Sequence, residues 1–173
     1  MWTLTMPLFK ILNFGLFQAG WFAAALMLDN AVWIMLGMIA LHFIVSPSRL
    51  ADVRLLIVLL PIGLTFEILM IALGFVTFSS AFVLPIWMIL LWCLLILSFN
   101  HSLSWFANIP LVFQVVLSAA AGLASYLAAQ QFNALTIGDP KLLNGAGIAL
   151  VWALQLPVMM AIAKKQTLRK NHA

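Results

Sequence analysis

Glu67 lies in a mostly apolar stretch, Leu64 to Met70. An ionised carboxylate deep in a bilayer is costly unless it is protonated, solvated or paired, so this one calls for a partner. Counting about 1.5 Å per residue along successive helices brings His42 to within roughly one helical turn of the same depth. A Glu67 to His42 hydrogen bond is therefore geometrically allowed, and such a pair could relay a proton or polarise a ligand. The plainer alternative is a glutamate that satisfies a backbone group freed by Pro61, or that bridges two helices.

A second polar group closes the stretch from Pro85 to Trp105, around which the chain is organised: Ser98, Asn100, His101, Ser102 and Ser104. At about 100° per residue these spread over more than half of a helix circumference, too wide for one seam. Depth counting places Gln18, Ser118 and Gln155 in the same layer, and convergence of these groups would make a pocket opening inward. The alternative is a set of interfacial caps and interhelical hydrogen bonds. Tyr126, amid alanines, can bond across a helix gap or reach a headgroup, whereas Trp21, Trp92 and Trp152 suit packing against helices or lipid. Cys93 is the one cysteine, so there is neither an internal disulfide nor a CxxC site. HExxH, P-loop, nucleophile-elbow and dinucleotide motifs are absent too. No metal site and no cofactor is expected.

The elements that must position these groups follow from composition. With 66% of 173 residues hydrophobic and 7% charged, the chain cannot cover a water-soluble globule, whose charged share is roughly a quarter. A net charge of +4 does not point to nucleic acid, because no basic patch interleaved with aromatics accompanies it. A membrane-crossing helix takes about 20 apolar residues. The expected fold is all-α, a polytopic membrane protein with six transmembrane helices in one bundle, spanning about 11–28, 31–46, 55–75, 85–105, 111–132 and 142–163, with a basic cytoplasmic tail at 164–173.

Asp29-Asn30, Ser46-Pro47-Ser48, Asn108-Ile109-Pro110 and Gly138-Asp139-Pro140 supply the breaks between spans. A hydrophilic loop with Arg49, Asp52 and Arg54 precedes the third span, in which Pro61 should introduce a kink. Lys10 and Ala23-Ala24-Ala25 give the first span some likeness to a cleaved signal peptide, but the apolar run passes the alanines and holds Asn13 and Gln18, which suit a packed helix. The fifth span is rich in small residues, with Ser118 and Gly122 four apart, and is expected to pack most tightly. Placing both termini in the cytoplasm leaves only Lys141 outside, as the positive-inside rule asks. The two three-helix halves show no sequence similarity.

Several short runs together resemble a family: Gly20-Trp21-Phe22-Ala23, Glu67 in the third span, Pro85-x-Trp87 followed by Leu91-Trp92, Asn100-His101-Ser102-Leu103-x-Trp105, and Gly122-x-x-x-Tyr126-x-Ala128. Their order and spacing are similar to those of an uncharacterised bacterial inner-membrane family, domain of unknown function two-eight-seven-eight, over nearly the whole chain. This sequence departs from that pattern in carrying Glu67 in place of an aspartate, and Leu123-Ala124 in place of Gly-Pro before the tyrosine. The resemblance implies no established activity. It implies a genomic setting beside cyclopropane-fatty-acid synthase and amine-oxidase-like genes, hence membrane-lipid modification.

The reading that follows is an accessory in handling or modifying membrane lipids, with an inward-facing pocket around His42, Glu67, Asn100 and His101, supplemented by Gln18, Gln155 and Tyr126. Membrane lipids and lipid-modifying enzymes are the implied partners. A proton-coupled carrier of a small hydrophobic solute, with Glu67 and His42 as relay, and a structural or assembly subunit are the alternatives.

Overall fold

The computed structural model describes residues 5–80 and 82–171, with side chains as far as Gln166, so the side chains of Arg169 and Lys170 in the basic tail lie outside the described part. Its α-helices are α1 (Met6–Met27), α2 (Val32–Val45), α3 (Arg49–Ala72), α4 (Ile86–Ser98), α5 (Leu111–Gln131) and α6 (Lys141–Asn171). Two three-residue strands, β1 (Val76–Phe78) and β2 (Leu135–Ile137), pair antiparallel with Thr77 opposite Thr136. Four helical stretches are long and apolar enough to cross a membrane: Met6–Val45, Arg49–Ala72, Leu111–Gln131 and Lys141–Gln166. The first folds back on itself at Leu28, whose φ of 52° reverses the chain between α1 and α2.

The surface is apolar and much of the interior polar. Trp33, Ile57 and Leu142 are 81%, 68% and 90% exposed, while Asn13, His42, Asp52, Glu67, His101 and Gln155 are all buried. A water-facing protein avoids such a surface. The chain is thus a multi-pass helical membrane protein.

Successive helices run in opposite directions. At one end of the bundle Asn13 of α1, His42 of α2, Asp52 of α3 and His101 after α4 are joined by side-chain hydrogen bonds. At the other end Ser80 donates to Asp29, and the two strands cap the bundle. α4 is the centre of the fold: eight of its 13 residues are buried, so it is shielded by other helices and need not match the bilayer thickness. α5, expected to pack most tightly, buries a narrow stripe of Gln114, Ser118, Gly122 and Tyr126, four residues apart, against α6. A Cβ at Gly122 would lie 2.2 Å from Trp152 Cγ, so only glycine permits this approach.

Two departures from the sequence expectation shape everything below. α3 starts at Arg49, which takes Asp52 out of a loop and into the first helical turns. α4 stops at Ser98 instead of running to Trp105, because Ser98 Oγ turns back onto Leu95 O (2.5 Å) and the next amides close tight turns, Phe99 N to Ile96 O and His101 N to Ser98 O.

The segments α3–β1–α4 and α5–β2–α6 are one unit used twice. Equivalent positions stand 59 residues apart: Gly63 and Gly122, Glu67 and Tyr126, Gly74 and Asn133, Thr77 and Thr136. Gly74 (φ 72°) and Asn133 (φ 58°) each end their helix in the left-handed region, and the following amides bond back to Met70 O and Ala129 O. Gly63 packs against Trp92 as Gly122 packs against Trp152, and the two indoles stack at 5.5 Å and 12°. Equivalent residues touch one another at two levels, Thr77 with Thr136 and Glu67 with Tyr126, and Trp92 meets Trp152, 60 residues on, at a third, which is the signature of a local twofold axis. The repeating unit is two helices, not three.

Candidate functional site

Two buried carboxylates organise the polar interior. Asp52 is fully buried at one end of the bundle and collects four donors. His42 Nε2 lies 3.1 Å from Oδ2 and Ser46 Oγ 2.5 Å from the same oxygen. His101 Nε2 lies 2.9 Å from Oδ1, with Ser48 Oγ at 3.4 Å. The Ser46-Pro47-Ser48 break that ends α2 thus also supplies two hydroxyls. Ser48 stands at the N-cap of α3 yet makes no capping bond there, its hydroxyl being turned to Asp52. The early end of α4 has the same effect on His101, which the unwound turn swings inward.

The proton arrangement on His42 can be read from Asn13. The amide oxygen of Asn13 accepts from Ser102 N–H (3.2 Å) and Ser102 Oγ (2.6 Å), and its nitrogen donates to Leu97 O (3.2 Å). A backbone N–H can only donate, so the amide orientation is fixed and Nδ2 is the atom facing His42 Nδ1 at 3.3 Å. His42 therefore accepts at Nδ1 and donates from Nε2 to Asp52. His101 Nδ1 is buried with no hydrogen-bond partner. Phe9, fully buried, stands edge-on to His101 with centroids 4.7 Å apart and closes the cluster from the α1 side.

Glu67, also fully buried, stands 15 positions further along α3 (52 to 67), about 22 Å away. Its Oε1 accepts from Tyr126 Oη at 2.6 Å and its Oε2 from Trp92 Nε1 at 3.0 Å. Among the described residues no lysine, arginine or histidine nitrogen lies within ion-pair distance of Glu67, so it has hydrogen-bond donors but no cation. It lies against an apolar cavity of about 60 Å³ between α1 and α5, floored by α4 through Trp87, Met88, Leu91, Trp92 and Leu95. Trp21 Nε1 donates to Ser125 Oγ (2.7 Å) and ties α1 to α5 across it. Trp87 Nε1, in the same lining, is a buried donor without a partner.

Residues 10–158 match the family described as protein of unknown function (DUF2878). The chain belongs to this family. No curated protein and no solved structure matches the chain.

In this family member the single pocket expected around His42, Glu67, Asn100 and His101 is divided. Glu67 does not bond His42, nor is it spent on the backbone near Pro61. His42 and His101 do come together, but on Asp52. Asn100 faces a shallow recess beside Ser104, Asn108 and Lys164. Gln18 is exposed on α1. Gln155 is buried, and both atoms of its amide lack partners. Tyr126, expected to bridge a helix gap, does so onto Glu67. Trp92, expected to pack against helices or lipid, is the second donor to that carboxylate, and Trp87 is 2% exposed in the core.

The spacing Gly63-x-x-x-Glu67 recurs as Gly122-x-x-x-Tyr126. That recurrence is the signal that would have paired the acid with the phenol.

Proposed function

We propose that this is a six-span protein of the bacterial inner membrane, with both termini in the cytoplasm, that holds a lipid acyl chain in the cleft between α1 and α5. In this reading it serves as an accessory to enzymes that handle or modify membrane lipids. The orientation rests on Lys10, Arg49, Arg54, Lys164 and Lys165, which belong to helix ends on one side of the bundle, against Lys141 on the other.

The cleft itself carries the functional reading. It is apolar and aromatic, as hydrophobic ligand sites are, with few polar groups to fix orientation. Trp87 Nε1 can donate to an ester or acid carbonyl, and the carboxylate of Glu67 retains lone pairs for a ligand hydroxyl.

The test uses vesicles containing a phospholipid with a diazirine on its acyl chain. Wild-type protein is expected to crosslink in the peptides bearing Trp21, Leu91 and Tyr126. Ala129→Trp, which fills the cavity, is expected to abolish those crosslinks and spare the ones on the outer face of α2. Identical crosslinking of both proteins on outer helix faces alone would defeat the reading.

A further inference from the structure

We propose that His42, Asp52 and His101 form a binding site for a divalent first-row transition-metal ion, of the zinc or iron(II) class. This site is separate from the acyl-chain cleft and does not depend on it.

The first argument is geometric. One ligand atom from each of the three residues can be chosen so that all lie within 4.8 Å of one another. Ligand bonds of about 2.0–2.2 Å set neighbouring donor atoms about 3 Å apart around such an ion. The observed separations, His42 Nε2 to Asp52 Oδ2 at 3.1 Å and His101 Nε2 to Asp52 Oδ1 at 2.9 Å, are of that size, the carboxylate meeting each imidazole through a different oxygen. Two imidazoles and one carboxylate suit zinc or iron(II) better than the oxygen-seeking magnesium or calcium, and three protein ligands leave a coordination position open.

The second argument is charge. Asp52 has no exposure, and its donors are two histidines and two serines. The nearby guanidinium of Arg49 is turned away, donating to Ile44 O. Among the described residues no lysine or arginine nitrogen lies within ion-pair distance of Asp52. A buried carboxylate without a cation is costly. A divalent ion among the three side chains supplies the missing charge.

Coordination through Nε2 moves the proton of each ring to Nδ1. At His101 that atom has no partner to lose. At His42 the Asn13 amide, held by Ser102 and Leu97, presents its nitrogen to Nδ1, so the ring must shift away from Asn13 for the ion to bind.

Full-length protein purified in detergent is stripped with a chelator and titrated with cobalt(II) and zinc(II). Wild type is expected to bind one ion per chain, with cobalt d–d bands of a nitrogen and oxygen site that zinc abolishes. His101→Ala is expected to weaken binding at least about a hundredfold while leaving the lipid crosslinks in place. Should His101→Ala fail to fold, Phe9→Ala, which contacts both rings but donates no ligand, must still bind one ion. Wild type that takes up neither ion, or binds them equally well when His101 is alanine, shows a hydrogen-bonded triad only and overturns the proposal.

Discussion

Asp52 and Glu67 are carboxylates of one helix, equally buried, yet they are held in opposite ways. Asp52 is surrounded by groups that can change their proton or bind a metal, drawn from α2, the break after it and the unwound end of α4. Glu67 is held by an indole and a phenol, donors that keep their protons, beside an apolar cleft. Burial alone therefore says little about the role of an intramembrane acid. The chemistry of its donors separates a histidine- and serine-lined end of the bundle from a middle that borders an apolar cavity.

The sharpest way to break this contrast is Asp52→Ala. It leaves two imidazoles and two hydroxyls without their common acceptor, and a cost of about 3–5 kcal/mol is expected in the thermal or denaturant unfolding of the detergent-solubilised protein, against less than half of that for Glu67→Gln. Gly122→Ala comes next. Its methyl meets the rigid base of the Trp152 ring, and a loss of about 1–3 kcal/mol should accompany altered near-ultraviolet circular dichroism of the stacked indoles, with metal binding unchanged.

Tyr126→Phe removes one of two donors to Glu67 and should cost about 1.5–3 kcal/mol, and the double variant Tyr126→Phe, Glu67→Leu should recover only part of it, because Trp92 Nε1 then loses its acceptor. The smallest effect belongs to Trp21→Phe. Loss of its bond to Ser125 should lower stability by about 0.5–1.5 kcal/mol and show instead as increased acyl-chain crosslinking inside the cleft.

Much of the frame was legible in residue types. Apolar runs and their proline and asparagine breaks mark the helices, and the need of Glu67 for company follows from its setting. The identity of that company was not legible, because depth counting began α3 at Leu55. Starting the helix at Arg49 moves Glu67 six residues, about 9 Å, further from the end where His42 lies. Asp52 reads as a loop residue because it stands beside Ser46-Pro47-Ser48 and two arginines, and only the fold shows that its side chain turns inward.

The strands Val76–Phe78 and Leu135–Ile137 are too short for alternation to register. His101 was legible as a polar group and illegible in direction, since a helix continued to Trp105 would have pointed it elsewhere.

The meeting of Glu67 with Tyr126 across the axis carries a consequence for how the two units relate. A unit paired with a true copy of itself would set acid against acid at that spot, where like charges repel, or phenol against phenol, where no charge exists. One acid opposite one phenol avoids both, so the two units meet at that spot through a single carboxylate with a donor facing it.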